Sequence, residues 1–113
     1  SAGDKAAEQL LAAGHQVDAI FCASDLIAIG VMRCLKRRNL RVPEDISVVG
    51  FDNIKVSAFI DPPLTTVDQP AYDMGRRAVE VLVSQIRGEP LVRSKEVLPF
   101  QLIERESSGP APV

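Results

Sequence analysis

Residues 17–25 read Val-Asp-Ala-Ile-Phe-Cys-Ala-Ser-Asp, and residues 46–53 read Ile-Ser-Val-Val-Gly-Phe-Asp-Asn. The first stretch is wholly apolar from Ala19 to Ala23, and the second is largely apolar up to Phe51. Short apolar runs of this kind suit strands covered on both faces, as in a parallel sheet. Each run ends in a polar pair, Ser24-Asp25 in one and Asp52-Asn53 in the other. Hydrogen-bonding side chains therefore stand at the carboxyl ends of two core strands.

Helical patterns surround these strands. Asp4 to Ala13 carries Ala6, Leu10 and Ala13 at helical spacing, with Gly14 as a stop. Residues 25–38 carry Ile27, Val31, Cys34 and Leu35 on one face. Ile29 and Met32 fall on a different face beside Arg33 and Lys36, so this helix has a second apolar surface to cover. Asn39 to Glu44 is a connector, residues 55–60 suit a short helical turn, and Pro62-Pro63 is a break. Leu64 to Val67 reads as extended. Residues 71–87 predict a helix with Gly75, Ala78, Val79, Leu82 and Ile86 on one face, ended by Gly88. Residues 95–103 read as a last strand, and Ser107 to Val113 as a frayed tail. The order α-β-α-β-(turn)-β-α-β predicts an α/β layered fold with a mainly parallel sheet. In such sheets ligands bind beyond the carboxyl ends of the strands.

A length of 113 residues fits one domain or a piece of one. Thirteen basic and fifteen acidic side chains leave a net charge of -2, which is not the field of a nucleic-acid or membrane-seeking chain. No apolar run is long enough to span a bilayer. Two cysteines are too few for a disulfide-stapled scaffold. There is no starting Met and no visible leader, so a chain opening on Ser1 reads as processed or cut from something longer.

The polar strand-end pairs could hydrogen-bond a hydroxylated or amide-bearing ligand. Ser24 and Asp25 equally suit helix capping, and Asp52-Asn53 equally suits turn chemistry. Two acidic strand ends could hold Mg²⁺, but no third acid or phosphate loop supports that. The strip from Leu64 to Pro70 presents the amide of Gln69, and also reads as an ordinary strand and helix start. Arg33, Lys36, Arg37, Arg38 and Arg41 could meet phosphate; more simply, they are cations complementing the end of a helix. Cys22 and Cys34 read as packed small hydrophobes. His15 is the single histidine, and no nucleophile–base pair or metal-ligand set is visible. No catalytic residue, metal or cofactor is therefore expected.

Four blocks go further: residues 19–30 (Ala-Ile-Phe-Cys-Ala-Ser-Asp-Leu-Ile-Ala-Ile-Gly), 42–53 (Val-Pro-Glu-Asp-Ile-Ser-Val-Val-Gly-Phe-Asp-Asn), 62–70 (Pro-Pro-Leu-Thr-Thr-Val-Asp-Gln-Pro) and 98–107 (Leu-Pro-Phe-Gln-Leu-Ile-Glu-Arg-Glu-Ser). In this order and spacing they closely resemble the C-terminal part of lactose-repressor-type (LacI/GalR family) transcriptional regulators. The resemblance implies part of a periplasmic-binding-protein-like (type I) core, with an effector held between two α/β subdomains. It implies that residues 1–106 are the C-terminal portion of that core and that the 71–88 helix belongs to the other subdomain; the Pro, Gly and Ser content of residues 107–113 marks them as a flexible tail. By the same resemblance Asp52, Gln69 and Ser24 contact the effector, while Asp25 caps its helix. Ser24 stands where sugar-binding relatives often carry Asn, and Ala71 where some carry a stacking aromatic. The implied dimer interface holds Ile29, Met32, Arg33, Phe59 and Ile60.

The implied partners are a sugar-like or nucleobase effector, a second copy of the chain, and operator DNA met through a headpiece that this chain lacks. The implied protein is a non-enzymatic, cytoplasmic bacterial repressor. The alternative is a sugar-binding protein of a transport system, which shares the fold.

Overall fold

The structure is a computed structural model that describes residues 2–68, 71–89 and 100–110. The chain divides into two compact units, Ser1–Asp68 with Leu102–Val113, and Gln69–Gln101.

The first unit is built on a parallel ladder. Strand β1 (Ala19–Phe21) pairs in parallel with β2 (Ser47–Val49), Ala19 facing Ser47 and Phe21 facing Val49. The ladder runs on past β2: the Gly50 and Asp52 N–H groups donate to the Thr65 and Val67 carbonyls at 2.9 and 2.8 Å. That brings β3 (Thr66–Asp68) alongside, and β3 pairs with β4 (Gln101–Ile103). The α/β layered pattern and its parallel strands follow the expectation from the sequence.

Helices α1 (Ala2–Ala12) and α2 (Asp25–Arg37) pack against each other and supply the apolar layer. Ala28, Cys34, Leu35, Val48 and Leu64 are fully buried in one cluster. Each large side chain buried in this way stabilises the fold by ~1.5–3 kcal/mol. Gly3 allows the two helices to approach: a Cβ there would lie 2.0 Å from the Ile27 carbonyl oxygen. At the other end of α2, Arg37 pairs with Asp4 and Arg38 pairs with Glu8 at 2.6 Å.

Three expectations change. Met32, expected on an exposed second face, is buried in the core cluster, because α2 is covered on two sides. Strand β1, expected to be covered on both faces, leaves Phe21 66% exposed. It has β2 as its one strand neighbour among the described residues. The tail expected to fray from Ser107 does not begin there. Ser107 is fully buried, and its hydroxyl accepts from the Thr65 N–H at 2.8 Å and donates to the Val48 carbonyl at 2.6 Å. Gly109 N–H donates to the Ser47 hydroxyl at 3.1 Å. Ser107 thus fills the gap where β2 and residues 63–65 diverge. Of the strand expected over 95–103, residues 101–103 are strand and 95–99 lie outside the described residues.

Among its described residues the second unit holds helix α3 (Ala71–Ile86) and the turn after it. Arg76 and Arg77 both reach Glu80, at 2.9 and 3.1 Å. Gly88, at φ 74, closes the helix in the left-handed conformation. Val79, Leu82 and Ile86 are exposed.

Candidate functional site

Ser24 and Asp25 divide the work that sequence assigned to both. Ser24 is the N-cap of α2: its backbone is extended and its hydroxyl accepts from the Ile27 N–H at 3.2 Å. Asp25, expected to cap, does something else. Its carboxylate is fully buried and accepts from the Thr66 hydroxyl at 2.6 Å, the Ile54 N–H at 2.9 Å and the Ser57 hydroxyl. A buried carboxylate is costly unless donors surround it. Here they come from β3, from the turn after β2 and from the short 3-10 turn Lys55–Ala58. Asp25 also requires a bare backbone beside it, and Gly50 provides one.

The strand ends meet directly. The Asp25 N–H donates to the Phe51 carbonyl at 3.0 Å, so Ser24 and Asp52 each stand one residue from a shared hydrogen bond. Asp52 is exposed at φ 115, and Asn53 follows at φ 54. Non-glycine residues held in such conformations cost of order 1–3 kcal/mol each. The strain is held in place from several sides. Asp52 N–H donates to Val67, Asn53 N–H donates to the Thr66 hydroxyl at 3.2 Å, and Ile54 N–H donates to Asp25. Arg105 donates to the Asn53 side-chain oxygen at 3.0 Å and to the Leu64 carbonyl at 3.0 Å.

Sequence reasoning missed Arg105 and Ser107. The signal for them was present only as polar residues in the last resembling block. Gln69 lies outside the described residues, as does the side chain of Ala71. The residues given to a dimer interface are spread over α2 and the segment after the 3-10 turn. Arg33 is exposed, Phe59 is 85% exposed, and Ile29 and Ile60 are half-buried. Leu26 and Phe21 add exposed apolar surface that was not singled out. Leu26 stands three residues before Ile29 on α2, a helical spacing that links them.

The other candidate groups are occupied. Arg37 and Arg38 pair with α1, and Arg41 pairs with Asp45 at 2.9 Å, so the basic cluster is largely neutralised. Asp4, Glu8 and Cys34 bring three possible metal-ligand atoms within 4.8 Å of one another, but the two carboxylates already hold arginines. Cys22 and Cys34 are both buried free thiols. Burial, with the Asp25 charge nearby, pushes the Cys22 thiol up to about 11. Burial and the Glu8 carboxylate raise that of Cys34 as well. These are packed side chains rather than reactive ones. The strand-end group presents a carboxylate and an amide that can hydrogen-bond hydroxyl or amino groups of a ligand.

A family model described as periplasmic binding protein-like domain matches residues 1–108. The HTH-type transcriptional repressor CytR of Escherichia coli is 43% identical over 111 residues, covering 98% of this chain and 33% of the repressor. The HTH-type transcriptional regulator MalR of Streptomyces coelicolor is 44% identical over 110 residues, covering 97% of this chain and 31% of the regulator. Among solved structures, the Lac repressor dimer bound to operator and the anti-inducer ONPF superposes with a TM-score of 0.88 at 35% identity, covering 94% of this chain and 37% of that one. The transcriptional regulator CelR in complex with cellobiose gives a TM-score of 0.87 at 42% identity, covering 94% and 32%. The chain therefore spans about a third of the length of the relatives it matches. The parallel ladder, its polar strand ends and these matches agree: the chain belongs to the family of periplasmic binding protein-like domains, and its relatives are LacI-type transcriptional regulators.

Proposed function

We propose that this chain is the effector-sensing and dimerising portion of a LacI-type, DNA-binding transcriptional repressor. The observation that carries this is Asp52. It is an exposed acid held in a strained conformation at the carboxyl end of a core parallel strand. Strain kept at a ligand-facing position points to a binding role. Asp52 accepts from hydroxyl or amino groups of a sugar-like or nucleobase effector, and Ser24 and Gln69 are the further effector contacts that the resemblance implies. Ser24 accepts from the Ile27 N–H and keeps its hydroxyl proton to donate to the effector. The protein performs no catalysis and works in the bacterial cytoplasm. The names of the relatives support a regulator over a transport binding protein.

A second copy of the chain docks on Ile29, Arg33, Phe59 and Ile60, with Leu26 extending the patch. Met32, buried within its own unit, leaves little surface for a partner. Helix α3 belongs to the other subdomain of the full-length protein, which covers its exposed apolar side chains. Operator DNA is met by a headpiece outside these residues.

The test uses the full-length protein with cellobiose, glucose, cytidine and adenosine as probes in thermal shift and calorimetry. At least one probe raises the melting temperature of the wild type, and Asp52→Ala abolishes that response while sparing operator binding without effector. Equal probe affinity in Asp52→Ala and wild type, or no response to any sugar or nucleoside, overturns the reading.

A further inference from the structure

Asn53 at φ 54 occupies the left-handed well, which Asn enters more readily than most residues, but Asp52 at φ 115 lies outside that well and needs an external hold. Three backbone N–H groups of residues 52–54 fix the turn, those of Asp52 and Asn53 donating to β3 and that of Ile54 to Asp25 of α2. Arg105 grips it from a different segment, 52 residues away in sequence. One guanidinium nitrogen meets the Asn53 side-chain oxygen, and the other meets the Leu64 carbonyl. The Arg105 N–H itself donates to the Thr65 hydroxyl at 2.9 Å. The planar fork of arginine reaches both acceptors at once, which a lysine ammonium cannot do with the same rigidity.

We infer that Arg105 is a positioning residue for the effector site: by bridging Asn53 to Leu64 it fixes the direction in which Asp52 presents its carboxylate. This rests on the reading of Asp52 as an effector contact. Without the bridge the turn samples other conformations, and the affinity falls by the fraction of time it is misplaced. Arg105 touches no ligand in this scheme; it acts through Asn53.

The experiment is hydrogen–deuterium exchange of the full-length protein, which needs no effector. In Arg105→Met, exchange in peptides spanning 51–56 rises about tenfold, while the peptide over 26–37 in α2 is unchanged. Asn53→Ala loosens the same peptide, and adding Arg105→Met to it changes nothing further, because the two residues act as one unit. Arg105→Lys restores part of the protection. Unchanged exchange at 51–56 in Arg105→Met, equal loosening of α2, or additive effects of the two substitutions overturn the proposal. The underlying reading fails separately. If Asp52→Ala keeps effector affinity while Arg105→Met loosens the turn, the effector contact falls and the positioning role stands.

Discussion

Gly50 and Asp25 compete for one space: a Cβ added at residue 50 would lie 2.3 Å from a carboxylate oxygen of Asp25 and 2.9 Å from a methyl carbon of Leu64. The glycine sits in β2's extension, one residue after Val49, where the carboxylate crosses over the ladder. Its absence of a side chain lets Asp25 reach Thr66, Ser57 and Ile54 together.

Gly50→Ala is therefore expected to destabilise the domain by about 1–3 kcal/mol through overpacking against a rigid, fully bonded group. Urea unfolding should show a lower midpoint at unchanged slope. A midpoint equal to wild type would mean that Asp25 can move aside without loss.

Ser107→Ala removes a hydroxyl that serves two buried backbone groups, the Thr65 N–H and the Val48 carbonyl. Two groups left without partners cost roughly 2–4 kcal/mol together. The loss is readable as a drop in melting temperature, and the Thr65 amide should exchange faster. Wild-type stability of the alanine variant would show that water replaces the hydroxyl.

Asp45 carries a pH dependence with a defined sign. Its hydrogen bonds to the Arg41 side chain and N–H hold its carboxyl down to about 2, below its usual 3.8. A depressed carboxyl contributes its stabilisation in full above the unfolded value and loses it as pH falls through the folded one. The melting-temperature difference between wild type and Asp45→Asn should thus be present at about pH 5 and vanish near pH 2. A difference independent of pH over that window would remove the ion pair with Arg41 as its cause.

Ile29→Asp places an acid on the α2 surface proposed to meet a second copy. An unpaired charge buried at an interface is costly, so the dimer dissociation constant of the full-length protein should rise by about tenfold or more. Sedimentation velocity over a dilution series reads this directly. Identical sedimentation would take Ile29 out of the interface.

Much of the architecture was legible from local pattern. The apolar runs at Ala19–Ala23 and Ile46–Phe51, the stripe Val31-Cys34-Leu35 and the stop at Gly88 announce elements that the structure contains. The Asp52-Asn53 strand end was legible in the same way. Asp25 was misread because Ser and Asp side by side at a helix start look like two equivalent caps. Its real partners, Ser57 and Thr66, lie 32 and 41 residues downstream, beyond the reach of any local rule. Ser107 was misread for a similar reason. Its Ser, Gly and Pro neighbours have the composition of a loose end, and the bond that buries it spans 59 residues. Met32 showed that part of a helix's second apolar face can be covered by its own chain, while Ile29 beside it stays half-buried.

The Ser107 wedge also has a consequence for the nascent chain. Val48 leaves the ribosome long before its partner, so β2 has an incomplete edge on that side until the segment around Ser107 emerges. Exposed strand edges invite pairing with other chains. Translation that stalls between Thr66 and Ser107 would therefore yield a product with α1 and α2 formed but the sheet open, a substrate for chaperones.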